Sequence, residues 1–252
     1  MRLFSSEVGL GNPIIFLHGF PFDHHLWDLM HDYLHREFRY IFPDLRGFGK
    51  SQVDHAAFSM QDMAQDVIEL IDRLGIKECM LVGHSMGGYV ALQVLRLIPS
   101  RVRGIALLAS HIYADTNDTK ENRYRTIKKL DSLTSSEVFK EMPLKLSAFP
   151  LVQAYCANAV ECANPIGLQG ALQAMAKRKS SEDLWALNPL PKLVVSGKDD
   201  QFISEDTTQK MVRIGHSVKH VTLGEAGHML IREHPAETAV ILNDFITTIR
   251  SE

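Results

Sequence analysis

Apolar β-rich runs alternate with segments of helical period along most of the chain. Pro13-Ile14-Ile15-Phe16-Leu17 predicts a buried strand, residues 24–36 a helix, and Tyr40-Ile41-Phe42 a second strand. Met60 to Leu74 places Met63, Val67, Leu70, Ile71 and Leu74 on one helical face, with Gly75 as its stop. Cys79 to Val82 reads as a strand, Met86 to Leu97 as a helix closed by Pro99, and Val102 to Leu108 as a strand too apolar to have a wet face. Continuous apolar strands separated by helices predict a parallel sheet covered on both sides.

The rhythm breaks after Ser110. From about His111 to Leu187 only helical segments are found, among them Glu121–Leu133, Ser136–Met142 and Ile166–Arg178, several introduced by Ser or Pro. Strand periodicity resumes at Leu193-Val194-Val195 and at Val218–Leu223, and a helix from Ala236 to Ile249 follows. The expected organisation is an α/β core of residues 1–110 and 188–252, interrupted by a helical cap over residues 111–187 that packs on the sheet as a lid.

Composition narrows the partners. The 252 residues are 45% hydrophobic and 23% charged, ordinary for a globular chain, and 27 basic against 30 acidic residues give a net charge of -3. A phosphate backbone would be repelled, and the only basic run, Lys177-Arg178-Lys179, reads as a favourable charge at a helix carboxyl end, so nucleic acid is not an expected partner. No signal-like or membrane-spanning run is visible, which predicts a cytoplasmic protein with no membrane partner. Cys79, Cys156 and Cys162 suggest neither disulfides nor a zinc knuckle and read as small buried hydrophobes.

Chemistry gathers at the strand ends. Gly83-His84-Ser85-Met86-Gly87-Gly88 follows a strand and opens a helix, the context of a Gly-x-Ser-x-Gly elbow. The tight turn strains Ser85, crowds its neighbours into very small residues, and exposes a hydroxyl at a helix N-terminus that favours negative charge. A serine needs a base, and the base an orienting acid. Of 12 histidines, His228 stands out in the small-residue loop Gly224-Glu225-Ala226-Gly227-His228 after the last strand. His84 should point away from the nucleophile, and His31 and His35 fit a solvated helix face better than a zinc site. The acid falls in Ser196-Gly197-Lys198-Asp199-Asp200, where two adjacent carboxylates compete. The N–H groups of Phe20, after the first strong strand, and Met86 are positioned to form an oxyanion hole. Gly49-Lys50-Ser51 imitates the end of a phosphate loop, but Asp44 occupies the position of its first glycine and would repel phosphate, so a structural loop is the better reading.

Together with Leu17-His18-Gly19-Phe20-Pro21, Pro43 to Ser51 and Gly227-His228 followed by Glu233-His234-Pro235, these stretches resemble an α/β-hydrolase of the small lidded serine esterase and lactonase type, similar to 3-oxoadipate enol-lactonase-like and carboxylesterase-like members. The resemblance implies the α/β-hydrolase fold, a mostly parallel central sheet flanked by helices with a lid insertion. It favours Asp200, three residues beyond Gly197, as the acid, and Ser85 speaks against the aspartate-nucleophile epoxide hydrolases and dehalogenases. The expected function is cleavage of a small-molecule ester or lactone through an acyl-enzyme on Ser85, His228 and Asp200, with no metal and no cofactor. Carbon–carbon bond hydrolysis, perhydrolysis or a non-turnover receptor remain alternatives, and oligomeric state is not legible. Phe139, Met142, Phe149, Tyr155, Met175 and Trp185 offer an apolar acyl pocket or, more simply, lid core.

Overall fold

A computed structural model describes residues 1–249; residues 250–252, counted with the core above, lie outside the described residues. Seven strands form one sheet: β1 (Ser5–Val8), β2 (Asn12–Leu17), β3 (Phe38–Pro43), β4 (Cys79–His84), β5 (Val102–Leu108), β6 (Lys192–Gly197) and β7 (Val218–Leu223). Their order is β1-β3-β2-β4-β5-β6-β7, parallel except for β1, which pairs antiparallel with β3. The helices are α1 (Met60–Arg73), α2 (Met86–Leu97), α3 (Asn117–Lys129), α4 (Ser135–Val138), α5 (Met142–Leu146), α6 (Pro150–Cys162), α7 (Pro165–Lys177), α8 (Glu182–Leu187), α9 (Glu205–Ile214), α10 (Leu230–Glu233) and α11 (Pro235–Ile249).

Strand side chains alternate between two buried layers. Ile15, Leu17, Leu81, Ile105 and Leu107 pack with α1 and α2 on one face, while Ile14, Phe16, Val82, Ala106 and Leu108 meet Trp27, Met30 and the Leu242 to Ile246 face of α11 on the other. This is why the strands read as unbroken apolar runs. In α1, Met63, Val67, Leu70 and Ile71 are buried. Ser59 and Asp62 close its capping box, and Gly75 leaves it at φ +66°.

Several elements differ from the sequence expectation. Residues His24–Tyr33 form a 3-10 helix begun by Asp23, whose carboxylate accepts from the His25 N–H at 2.9 Å. Helix α3 starts before Glu121 because Thr116 caps the Thr119 N–H. The segment expected as Ser136–Met142 divides into α4 and α5. Strand β1, which has no apolar run, and helix α9, which buries only Thr208 and Met211, are not among the expected elements. Cys79 and Cys156 are buried as expected, but Cys162 is exposed because it ends α6, so the buried-hydrophobe reading fails for that residue.

All helices between β5 and β6 lie in the 111–187 segment, and α7 reaches the core through a backbone contact. A Cβ added to Gly47, in the loop after β3, would stand 2.7 Å from the Gly167 Cα. One added to Gly167 would stand 2.0 Å from the Gly47 carbonyl oxygen. Neither position has room for a side chain.

Candidate active site

One residue, Ser85, joins β4 to α2. Its backbone lies at φ +50°, ψ -116°, a region costly for any residue but glycine. Surrounding contacts enforce it: the Ser85 N–H donates to the Leu108 carbonyl at 3.0 Å, and Ser110 Oγ donates to the Ser85 carbonyl at 2.8 Å. A Cβ at Gly83 would fall 2.6 Å from the Gly87 backbone, and one at Gly87 2.0 Å from the Leu17 carbonyl oxygen. These obstacles are backbone atoms that have no room to yield, which gives the two glycines of the elbow their physical cause.

His228 Nε2 lies 2.9 Å from Ser85 Oγ, and His228 Nδ1 lies 2.8 Å from Asp200 Oδ2. The Asp200 carboxylate is wholly shielded from solvent, and its other oxygen accepts the N–H groups of Phe202 and Ile203 at 2.7 and 3.1 Å. Burial pushes its pKa up, but His228 and the two N–H donors outweigh burial and hold it below the ordinary carboxylate range. Asp199 is exposed, and its backbone N–H is tied to the Ala226 carbonyl at 2.8 Å. Asp200, not Asp199, caps the local N–H groups of this turn.

The His228 loop is pinned from three sides. Its N–H donates to the Leu146 carbonyl of α5 at 3.1 Å, the Gly227 N–H donates to Glu233 at 2.6 Å, and His84 Nε2 donates to the His228 carbonyl at 2.9 Å. His84 therefore points away from Ser85, as expected. Burial pushes its pKa down to about 3, so it is a neutral donor.

Ser85 and His228 line a cavity of about 1110 Å³. Phe20, Phe139, Met142, Leu146, Leu172 and Met175 form an apolar wall. Phe149, Tyr155 and Trp185 are not part of it. Trp185 is core, donating to the Met211 carbonyl at 2.8 Å, Tyr155 stacks on Phe22, and Phe149 packs against His234. The N–H groups of Phe20 and Met86 have no acceptor among the described residues, and that of Met86 belongs to the open first turn of α2.

Sequence reasoning missed the second wall. Thr119, Asn122, Arg123, Thr126 and Lys129 of α3 face the cavity, beside Tyr89, His111 and Asp115. Arg178, expected as a charge at a helix end, does donate to the Met175 carbonyl at 2.9 Å, yet it is buried and paired with Asp115 at 2.6 Å. A long-range ion pair of this kind leaves no periodic signal.

The other singled-out groups lie elsewhere. His35 is exposed, and His31 is half-buried against Phe42. Asp23, His24 and Asp44 hold ligand-type atoms within 4.8 Å of one another, but the atoms are already occupied. Asp44 accepts the His24 N–H at 2.8 Å, His24 Nδ1 at 2.6 Å and the Lys50 N–H at 2.8 Å, which makes it the knot of the Pro43 to Ser51 loop. Among the described residues no helix is long and apolar enough to cross a membrane.

A strained serine at a strand-to-helix elbow, facing a loop histidine over the edge of a mostly parallel sheet, defines a hydrolase of the α/β class. The chain belongs to the alpha/beta hydrolase family, which it matches over residues 14–241. Its fold is close to that of a thermophilic esterase from Thermogutta terrifontis solved with malate bound, at 31% identity and a TM-score of 0.94 over 98% of this chain and 93% of that one. It is 27% identical to the AB hydrolase superfamily protein YisY of Bacillus subtilis (strain 168), over 97% of this chain and 95% of that protein. It is also 29% identical, over 92% of its own length, to the dihydrolipoyllysine-residue acetyltransferase component of the acetoin cleaving system of Pseudomonas putida, of which it spans 63%.

Proposed function

We propose that the protein cleaves a carboxylic ester or lactone through an acyl-enzyme intermediate. The observation that carries this reading is the unbroken line from Ser85 Oγ to His228 to Asp200, at 2.9 and 2.8 Å, with Ser85 and His228 lining a cavity. His228 takes the Ser85 hydroxyl proton as Oγ bonds to the carbonyl carbon. The resulting oxyanion is received by the N–H groups of Phe20 and Met86. Collapse breaks the bond to the alcohol oxygen, which leaves with the proton from His228; in a lactone the same step opens the ring. Water, deprotonated by His228, then releases the acid and restores Ser85. Asp200 keeps the imidazole in the required tautomer and stabilises its cation. The helical segment 111–187 serves as the lid, contributing Phe139, Met142, Leu146 and Met175 to the cavity and the Leu146 carbonyl to the His228 loop. The esterase neighbour at 31% identity supports the same bond type.

The test is Ser85→Ala assayed on p-nitrophenyl esters of graded acyl length. Wild type is expected to turn over many times and the folded variant to lose nearly all activity. Labelling by a serine-directed phosphonate should vanish with it. Wild-type rates in the purified variant would overturn the assignment, and one turnover or none in the wild type would favour a receptor.

A further inference from the structure

The α3 wall is polar, and its polarity has one sign in excess. Thr119, Asn122, Arg123, Thr126 and Lys129 recur at helical spacing, so one whole face of α3 looks into the cavity. The cationic residues along the lining are Arg123, Lys129, Lys140, Lys145 and Lys210, the last of them neutralised by Asp206 at 2.7 Å, against Asp115, Glu137 and Glu141. Each acid is already engaged. Asp115 accepts from Arg123 Nε and Arg178 Nη1, both at 2.6 Å. Glu137 accepts the Thr134 N–H at 2.8 Å in a capping box, and Glu141 lies 3.7 Å from Lys145.

One carboxylate thus faces two guanidiniums. The Asp115 and Arg178 side chains are each only 3% exposed while Arg123 is 21% exposed, so the surplus positive charge is presented at the cavity surface, partly open to screening. His111, beside Arg178, adds no charge, because burial and then that arginine push its pKa down to about 3. Arg123 spends Nε and, more distantly, Nη2 on Asp115, while its Nη1 has no partner among the described residues. Lys129 and Lys140 have no acidic partner there either.

We propose that this wall receives a carboxylate, so that the substrate is an ester or lactone bearing a free acid group. Arg123 is its principal recognition residue, with Lys129 in support. A guanidinium suits a planar carboxylate better than an ammonium does. The apolar wall would hold the chain between the acid and the bond that breaks. The inference rests on the ester or lactone reading above, and its test separates the two.

Monoethyl glutarate, an anion near neutral pH, is compared with neutral ethyl pentanoate by pH-stat, reading the ratio of their kcat/KM values. Wild type is expected to favour the anion. The ratio should fall about ten-fold or more in Arg123→Gln, fall less in Lys129→Gln, and partly recover in Arg123→Lys. Raising the salt should shrink the wild-type ratio. A wild-type ratio of one or below, or a ratio unchanged in both glutamine variants when circular dichroism shows them folded, overturns the proposal. Calorimetric titration with glutarate reads the same wall without turnover, and Ser85→Ala should still bind it. If neither ester is hydrolysed while glutarate affinity still depends on Arg123, the catalytic reading fails and the anion site stands. Glutarate binding that is equally strong in Arg123→Gln and Lys129→Gln refutes the anion site.

Discussion

Asp200 divides its two oxygens between two tasks, one on the His228 imidazole and one on the N–H groups of Phe202 and Ile203. An asparagine could keep the second task with its carbonyl, but its amide would offer a donor to Nδ1 and force the wrong tautomer. Asp200→Asn is therefore expected to fold normally and to lower kcat by orders of magnitude, toward the roughly ten-thousand-fold loss known for amidation of a triad aspartate. Asp199→Asn, at an exposed side chain, should cost less than about ten-fold, since surface changes away from special features are small. Both are measured at saturating ester with folding checked by circular dichroism, and a larger loss for Asp199→Asn would reverse the assignment. Spacing alone leaves the two aspartates equal, because neighbouring residues differ only in direction. That direction depends on the bond from the Asp199 N–H to Ala226, a contact between loops that no local pattern encodes.

Elements differ in how much of themselves they show in sequence. Strands β2, β4 and β5 and helices α1 and α2 are legible because both faces, or one clean stripe, are apolar. Edge strand β1, with the sequence Ser-Ser-Glu-Val, has one neighbour and no apolar run to announce it. Helix α3 is legible as a helix but misleading in role, since a polar face that looks into a cavity is spelled like one that looks into water. The 111–187 segment contributes to both cavity walls, α3 with its polar face and α5 and α7 with Met142, Leu146, Leu172 and Met175. Replacing residues 111–187 by the corresponding segment of another family member should reorder the preferred substrates, measured as kcat/KM over an ester panel. The pH profile should change less, because Ser85, His228 and Asp200 remain. An unchanged ranking would reduce the segment to packing.

Across the whole molecule, buried histidines set the response to acid. His18, His84 and His111 all have pKa values lowered chiefly by burial, the latter two from 6.5 to about 3. Between those limits the unfolded chain binds protons that the folded chain refuses, so stability is full above about pH 6.5 and is lost as the pH falls toward 3. Each such histidine contributes a slope of up to about 1.4 kcal/mol per pH unit. Urea unfolding at pH 7.5, 6 and 5 should show midpoints declining below pH 6.5, and a flat series would contradict the burial of these rings.

The contact between Gly47 and Gly167 bears on how this architecture can diversify. The loop after β3 and helix α7 meet there backbone to backbone, so the two segments are joined by a keyhole that admits only hydrogen on either side. The 111–187 segment can be exchanged only for one that keeps it: any side chain at the position of Gly167 would stand off the Gly47 loop and shift α7, and with it Leu172 and Met175, relative to Ser85. The cavity-facing residues of the 111–187 segment are free of that constraint, so the cavity lining can vary while the seating of α7 stays fixed.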